Sequence, residues 1–492
     1  MPMKHIGIAA LTALVTLLVT GVASAATVTL HDTKGPPTAT FTATGAGFTA
    51  GEAVTFSFTP GGTHTVSAGG DGSAVTTFTA PAGTVPGKYP VTAKGATSAQ
   101  SASAVFLVRT NWAQARFGER RAGVNPFENL INPANVGLLT AVFEQPCGAG
   151  ASWQIPTVAS GRVYIGSRDG KICAINKATG IALWTLWTHG EFRSPIAAAY
   201  TKLYLTSGRT VQALDSKTGK RLWKGRIDGS VAQSSPVAYR HVVYVGSKDG
   251  FLYAYSADGC GLRYCAPLWR GRVGREVLAA PTAVDGTVLV TATDGTIVKF
   301  AAAGCGAPFC RPVAKVAPRF DRGHRHGRHW DWRPMALTGA LAVADGRVYA
   351  GSTDGQVRVL SLADLTELAH TKLQGRPRVS SPAVLGDVLF VTTSDGRLQA
   401  LDSTTLAARW TAPLSGGPLA AIRLGGPSVA NGVVYVGDRR GGTEAFAVDG
   451  CGTAVCAPLW NSAEHGGASA AISDGRVYTG SHGGIMAYAL PF

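Results

Sequence analysis

The sequence predicts an all-β protein, a small β-sandwich followed by an eight-bladed β-propeller. Three observations carry this. Only 15% of the 492 residues are charged and the Glu, Lys and Leu runs of helical bundles are missing, which argues against an all-helical chain. Gly (63) and Pro (26) are abundant, at about 18% together, yet below the range of roughly 25% or more typical of disordered low-complexity chains. Above all, from residue 111 onward the chain repeats itself at intervals of 39 to 45 residues, with one interval of 60. Units of that size holding three or four short strands cannot bury their faces alone, but they can stack radially.

Residues 1–25 read as an export signal. Lys4 supplies a positive start, Ile6 to Val22 an apolar stretch, and Ala23-Ser24-Ala25 a small-residue cleavage site. A retained membrane anchor is the alternative, opposed by the Thr and Gly in the stretch and by its length, which is short for a span of about 20 apolar residues. No later segment reads as a span. No Cys follows the cleavage site and AYALPF ends the chain, so neither a lipid anchor nor a sorting tail is expected. An exported, soluble protein is the expectation.

Residues 26–110 are rich in Thr, Ala and Gly, with alternating runs such as AVTFSFTP, AVTTFTAP and YPVTAKG separated by Gly, Asp and Pro turns. Alternation places one face in a core and the other in water, so a β-sandwich is expected. The stretches GAGFTAGEAVTF, DGSAVTTFTAPAGTVPGKYPVTA and SASAVFLV resemble the immunoglobulin-like modules of secreted bacterial surface proteins. That resemblance speaks to fold and hardly to function.

Residues 111–136 read as an irregular lead-in and residues 137–492 as the propeller. Its units start at Pro156, Pro195, Pro236, Pro281, Leu341, Pro382, Pro427 and near Ser469, which implies eight blades. Asp-Gly pairs at 169/170, 249/250, 294/295, 354/355 and 395/396 sit between apolar runs, where tight turns need positive φ. A calcium loop needs more oxygen ligands at fixed spacing, so these are expected to be turns. The last unit stops after its third strand, and GLLTAVFEQ (137–145) has no unit of its own. It can supply the missing strand and close the ring, removing exposed sheet edges.

The unit endings AINKATGIALW, ALDSKTGKRLW and, more loosely, ALDSTTLAARW resemble the tryptophan-docking repeat of pyrroloquinoline quinone (PQQ) propellers, and the lead-in NWAQARFGERRAGVNPFE resembles the segment preceding such repeats. The resemblance covers roughly residues 111–492. It implies that Trp184, Trp223, Trp269, Trp410 and Trp460 dock structurally against neighbouring blades, each indole N–H wanting one acceptor. In quinoprotein alcohol dehydrogenases of this superfamily it further implies a vicinal Cys-Cys ring beside the quinone, a calcium with acidic and amide ligands, and an Asp base. No adjacent cysteines and no C-x-x-C-H haem site occur here. Members similar to the outer-membrane assembly lipoproteins have the same ring without cofactor, but with a lipidated Cys that this sequence lacks.

Six of eight cysteines form three C-x4-C pairs in similar contexts: Cys260 with Cys265, Cys305 with Cys310, and Cys451 with Cys456. An even count in an exported chain argues for disulfides, and Cys147 and Cys173 then pair by elimination. Zinc is the alternative, opposed by the separation of the pairs and the lack of His partners.

The 60-residue interval contains an insertion, RPVAKVAPRFDRGHRHGRHWDWRP (311–334), with seven basic and two acidic side chains. His324, His326 and His329 lie there between Asp321 and Asp331, as candidates for Zn²⁺ or Cu²⁺, while Arg beside Trp330 and Trp332 suits a polyanion. A solvated basic loop is the third possibility, and the flanking arginines oppose a metal by repulsion. The formal net charge of +16 falls mainly after residue 110, which favours anionic partners without naming one. No G-x-S-x-G elbow, H-E-x-x-H or G-x-x-x-x-G-K occurs. His189, His241, His370, His465 and His482 are scattered, with His482 at a turn position.

The expected function is therefore a secreted, non-catalytic propeller: a monomeric binding or scaffold protein at the cell surface or wall, without cofactor, whose partner is a protein or an anionic surface polymer. The alternatives are a PQQ- and calcium-dependent dehydrogenase, and metal or polyanion capture by the 311–334 loop.

Overall fold

The computed structural model describes residues 25–148, 155–188, 192, 194–231, 234–317, 339–373, 378–415, 426–437, 442–462, 469–481 and 483–491. The chain is almost entirely β, and it divides into two compact units, one ending at Val108 and one beginning at Arg109 apart from a short 82–86 segment. Among the described residues no helix is long and apolar enough to cross a membrane.

The first unit holds two antiparallel sheets. Thr27–Leu30, Thr40–Ala46 and Ala74–Thr79 form one; Ser101–Val108, Gly87–Gly95, Ala53–Phe58 and Gly62–Ser67 form the other, with Lys34–Gly35 added in parallel to Ser101–Val108. Strict alternation in AVTFSF and AVTTFT buries Val54, Phe56, Phe58, Ala74, Thr76 and Phe78 and leaves Thr55, Val75 and Thr77 outward. Phe41 and Phe106, from opposite sheets, stack with centroids 4.0 Å apart.

In the second unit the described residues form eight sheets, each with four antiparallel strands, and three of them add a fifth strand of two residues in parallel. Their innermost strands are Thr157–Ala159, Ala197–Ala199, Val237–Tyr239, Thr282–Val284, Ala342–Ala344, Ala383–Leu385, Ser428–Ala430 and Ala471–Ser473. Each touches the next and the last touches the first, so the sheets form a ring. Small hydroxyls fasten this inner circle: Thr157 Oγ1 donates to Ile196 O at 2.6 Å, Thr282 Oγ1 to Leu341 O at 2.8 Å and Ser428 Oγ to Ala470 O at 2.7 Å. The second strands, such as Val242–Gly246 and Val433–Gly437, pack on both faces and are buried nearly throughout, which is why VVYVG runs continuously apolar instead of alternating.

The ring closes with a strand from its own beginning. Thr140–Pro146 pairs antiparallel with Gly484–Ala489, from Thr140 opposite Ala489 to Pro146 opposite Gly484, and so becomes the outer strand of the last sheet. Cys147, directly after it, is disulfide-bonded to buried Cys173 in the first sheet, so the bond crosses the seam.

Turn chemistry is divided in a way the Asp-Gly pairs do not reveal. At Asp249-Gly250 and Asp354-Gly355 only the glycine has positive φ, while the Asp carboxylate accepts from Phe251 N and from Ser352 Oγ. The two-residue turns with both φ positive lie one hairpin earlier, at Ser160-Gly161, Tyr200-Thr201, Arg240-His241, Asp285-Gly286, Asp345-Gly346, Asn431-Gly432 and Asp474-Gly475.

Candidate functional site

The residues that follow the first unit line the inner edge of the ring. From Trp112 to Asn125 the chain visits the middle residue of every inner strand in turn. Trp112 exchanges two main-chain hydrogen bonds with Val158 (2.8 and 2.9 Å), and Ala113 O accepts from Ala198 N (2.7 Å). The Gln114 side chain then takes both polar groups of Ala238, at 2.9 and 3.0 Å. Glu119 O, Arg120 O, Ala122 O and Gly123 O accept from Ala283 N, Val343 N, Val384 N and Val429 N at 2.8 to 3.0 Å. Asn125 Nδ2 completes the circuit on Ile472 O at 2.8 Å. Arg116, Phe117, Arg121 and Gly123 take positive φ where this hoop bends.

Two arginines of the hoop are fully buried. Arg121 Nε donates to Pro281 O (2.5 Å), Nη1 to Ala115 O (3.0 Å) and Nη2 to Pro236 O (3.0 Å) and Ser235 O (3.3 Å). Arg116 Nη2 reaches Pro382 O at 2.5 Å, while its Nε and Nη1 have no acceptor. Neither has a carboxylate within ion-pair distance among the described residues, and burial pulls both guanidiniums down to about 9. The inside of the ring at the hoop is thus occupied by the chain's own cations, held on neutral carbonyls.

The outer rim is built from the tryptophans and cysteines. Trp223, Trp269, Trp410 and Trp460 are buried and Trp184 is half-buried. Each of the first four in chain order packs on a turn glycine of the next sheet: Trp184 on Gly219, Trp223 on Gly259, Trp269 on Gly304 and Trp410 on Gly450. At the seam Phe143 takes that place against Gly180. The indole N–H groups of Trp184, Trp223, Trp410 and Trp460 donate to Ser216 O, Ala257 O, Val448 O and Leu139 O at 3.0 to 3.4 Å, whereas Trp269 Nε1 has no acceptor.

Cys260–Cys265, Cys305–Cys310 and Cys451–Cys456 are disulfides. Their loops reach back to the preceding sheet: Tyr264–Cys265 pairs in parallel with Lys224 and Gly225, Phe309–Cys310 with Arg270 and Gly271, and Val455 with Thr411. Each covers an outer edge strand that would otherwise offer unpaired backbone groups.

His324, His326 and His329, with most of the 311–334 insertion, lie outside the described residues, as do His189, His465 and His482. His241 pairs with Asp258 and His370 with Glu367, both on the surface and on different sheets. Among the described residues no group of three or more His, Cys, Asp or Glu can hold a metal ion, and every cysteine is in a disulfide between non-adjacent residues. These residues do not fit a quinone beside a Cys-Cys ring with calcium.

A family profile described as outer membrane protein assembly factor BamB matches residues 140–263 and 314–482, well over half of the chain. The chain belongs to this family. As a BamB-family protein it is 31% identical over 113 residues to the outer membrane protein assembly factor BamB of Yersinia pestis, covering 23% of this chain and 28% of that one. A tetrathionate hydrolase of Acidithiobacillus ferrooxidans is 29% identical over 104 residues, 21% of this chain and 20% of that enzyme. The chain thus spans under a third of the curated relatives it matches. Among solved structures, BamB of Moraxella catarrhalis superposes with a TM-score of 0.54 at 18% identity, over 71% of this chain and 97% of that one. Quinohemoprotein alcohol dehydrogenase of Comamonas testosteroni gives 0.60 at 14% identity, over 77% and 80%. Both share the β-propeller fold, and at these identities the likeness concerns fold alone.

The hoop and its arginines escape sequence reasoning because main-chain carbonyls do most of the bonding, and any residue carries one. In the sequence Gln114, Arg116 and Arg121 stand only within the irregular lead-in, with no repeat to mark them.

Proposed function

We propose that this protein is a non-catalytic binding scaffold that works outside the cytoplasm and presents the outer rim of its propeller to a protein partner. The observation that carries this reading is the hoop. Arg116 and Arg121 stand inside the ring on carbonyls of the third, fourth and sixth sheets, where a cofactor-bearing propeller needs an open, ligand-lined floor. Membership of a family described as an assembly factor supports the same reading. The N-terminal two-sheet unit, read as an immunoglobulin-like module, acts as a spacer or second contact, and the protein works as a monomer at the surface or wall.

Calorimetry with PQQ and calcium on the purified protein, followed by dye reduction with alcohols and sugars, tests it. No binding in the micromolar range is expected. Tight binding with turnover overturns the reading in favour of a quinoprotein dehydrogenase. Capture of a polyanion or metal by residues 311–334 is the further alternative, supported by their charge and histidines alone. Deleting that loop without change in salt-sensitive binding to anionic polymers removes it.

A further inference from the structure

The repeat departs from itself at one place on the outer rim. Between the second and third sheets lies an open groove of about 640 Å³, whose walls include Lys202, Arg221, Leu222, Asp258, Leu262 and Arg263. Two residues before the docked tryptophan stands Arg221; the matching positions elsewhere are Ala182, Pro267, Ala408 and Pro458. The disulfide loop carries Leu262-Arg263 here, where the other two loops carry Ala307-Pro308 and Thr453-Ala454. The backbone of these loops is equivalent: Arg263 O, Pro308 O and Ala454 O accept from Lys224 N, Arg270 N and Thr411 N at 3.0, 2.8 and 2.9 Å. A shared backbone with different side chains means that folding does not require the bulk and charge found in this copy.

Two of the groove's three basic side chains have no ion pair among the described residues. Lys202 and His241 are both taken up by Asp258, at 2.7 and 2.9 Å. Arg221 and Arg263 have no carboxylate in ion-pair range among the described residues, and Arg221 Nε is buried without an acceptor. Two other rim arginines are neutralised: Arg270 pairs with Asp228 at 2.5 Å and lies over Phe309, and Arg409 is held by Asp387 and Asp402 at 2.6 and 2.7 Å. Leu222 and Leu262, exposed by 40% and 69%, line the groove with the guanidiniums of Arg221 and Arg263, of which that of Arg263 lies 5.7 Å from the Tyr264 ring centroid.

We propose that this groove takes an extended segment of a protein partner in which a carboxylate neighbours an apolar side chain, an inference that rests on the binding-scaffold reading above. The carboxylate sits between Arg221 and Arg263 in charge-assisted hydrogen bonds, and the apolar neighbour covers Leu222 and Leu262.

The test uses the whole protein and a fluorescent peptide of alternating Glu and Leu, with a Lys-for-Glu peptide and inorganic polyphosphate as comparators. The variants Arg221→Ala, Leu262→Ala and Arg263→Pro install residues that the other copies already hold at these positions, so folding is preserved. Wild type binds the Glu peptide and not the Lys peptide, and the triple variant loses about tenfold or more. Equal binding by the triple variant, or polyphosphate competing while Leu262→Ala alone has no effect, overturns the proposal. Hydrogen exchange in the presence of a purified extracytoplasmic partner separates the two readings: protection mapping elsewhere on the rim refutes the groove and leaves the scaffold standing.

Discussion

Tyr204 and Trp223 donate to one carbonyl, that of Ala257 in the following sheet, at 3.0 and 3.4 Å. The same pairing recurs one sheet earlier, where Tyr164 and Trp184 share Ser216 O. One acceptor on the next sheet therefore receives both the core strand and the outer strand of the previous one.

A shared acceptor predicts non-additivity. Tyr204→Phe should cost about 1 kcal/mol, because Trp223 still satisfies the carbonyl. Trp223→Phe should cost about 2 kcal/mol, since the smaller ring also leaves a gap. The double variant orphans Ala257 O and should exceed the sum by about 1 kcal/mol in a denaturant double-mutant cycle. Simple additivity would show that the two donors act independently.

The seam disulfide joins residues 26 apart in sequence. Replacing Cys147 and Cys173 together by Ser should destabilise the second unit by about 3 kcal/mol in the chain-entropy treatment. Replacing Cys451 and Cys456, only 5 apart, should cost less, about 2 kcal/mol. Calorimetric midpoints under oxidising conditions compare the two, and a larger loss for the short loop contradicts the seam argument.

The two hoop arginines should respond oppositely. Arg121→Met strips four carbonyl acceptors of their donor and should cost about 3 kcal/mol. Arg116→Met removes a buried cation with two unpartnered nitrogens, so it should be neutral or stabilising within about 1 kcal/mol. Urea unfolding of both variants decides it; a heavier loss at Arg116 would mean that its charge is compensated in solution.

In the first unit, Glu52 accepts from the amides of Thr49, Thr97 and Ser98 and from two hydroxyls. The Ser98 amide leads in holding its carboxyl down at about 2, against the ordinary 4.5. A depressed carboxyl stabilises above its unfolded value and loses that contribution as pH falls from there through the folded value. The first unit should therefore weaken between about pH 4.5 and 2. Glu52→Gln should flatten that loss in acid titrations followed by amide NMR, and an unchanged pH profile would place the acid sensitivity elsewhere.

Much of this architecture is legible because it repeats. Runs such as VVYVG at Val242–Gly246, the terminal Trp of five units and the three C-x4-C pairs all recur at the same place in the unit, so periodicity picks them out. What does not recur stays hidden. The hoop bonds through backbone atoms of Ala113, Glu119 and Gly123, which carry no sequence signature. The parallel fifth strands at Tyr264–Cys265 and Phe309–Cys310 are two residues long, too short for any alternation to show. Arg221 and Arg263 stand out when one copy is laid over another, but that they line one groove shows only in the structure.

The hoop also counts. Trp112, Ala113, Gln114, Glu119, Arg120, Ala122, Gly123 and Asn125 each serve one inner strand, so sheet number is written into the length of a segment that belongs to no sheet. Gene duplication that added a ninth unit would create an inner strand without a partner, and loss of a unit would leave hoop residues stranded. A change in blade number must therefore arrive together with a matching insertion or deletion between residues 111 and 126, a coupled event that holds the ring at its present size.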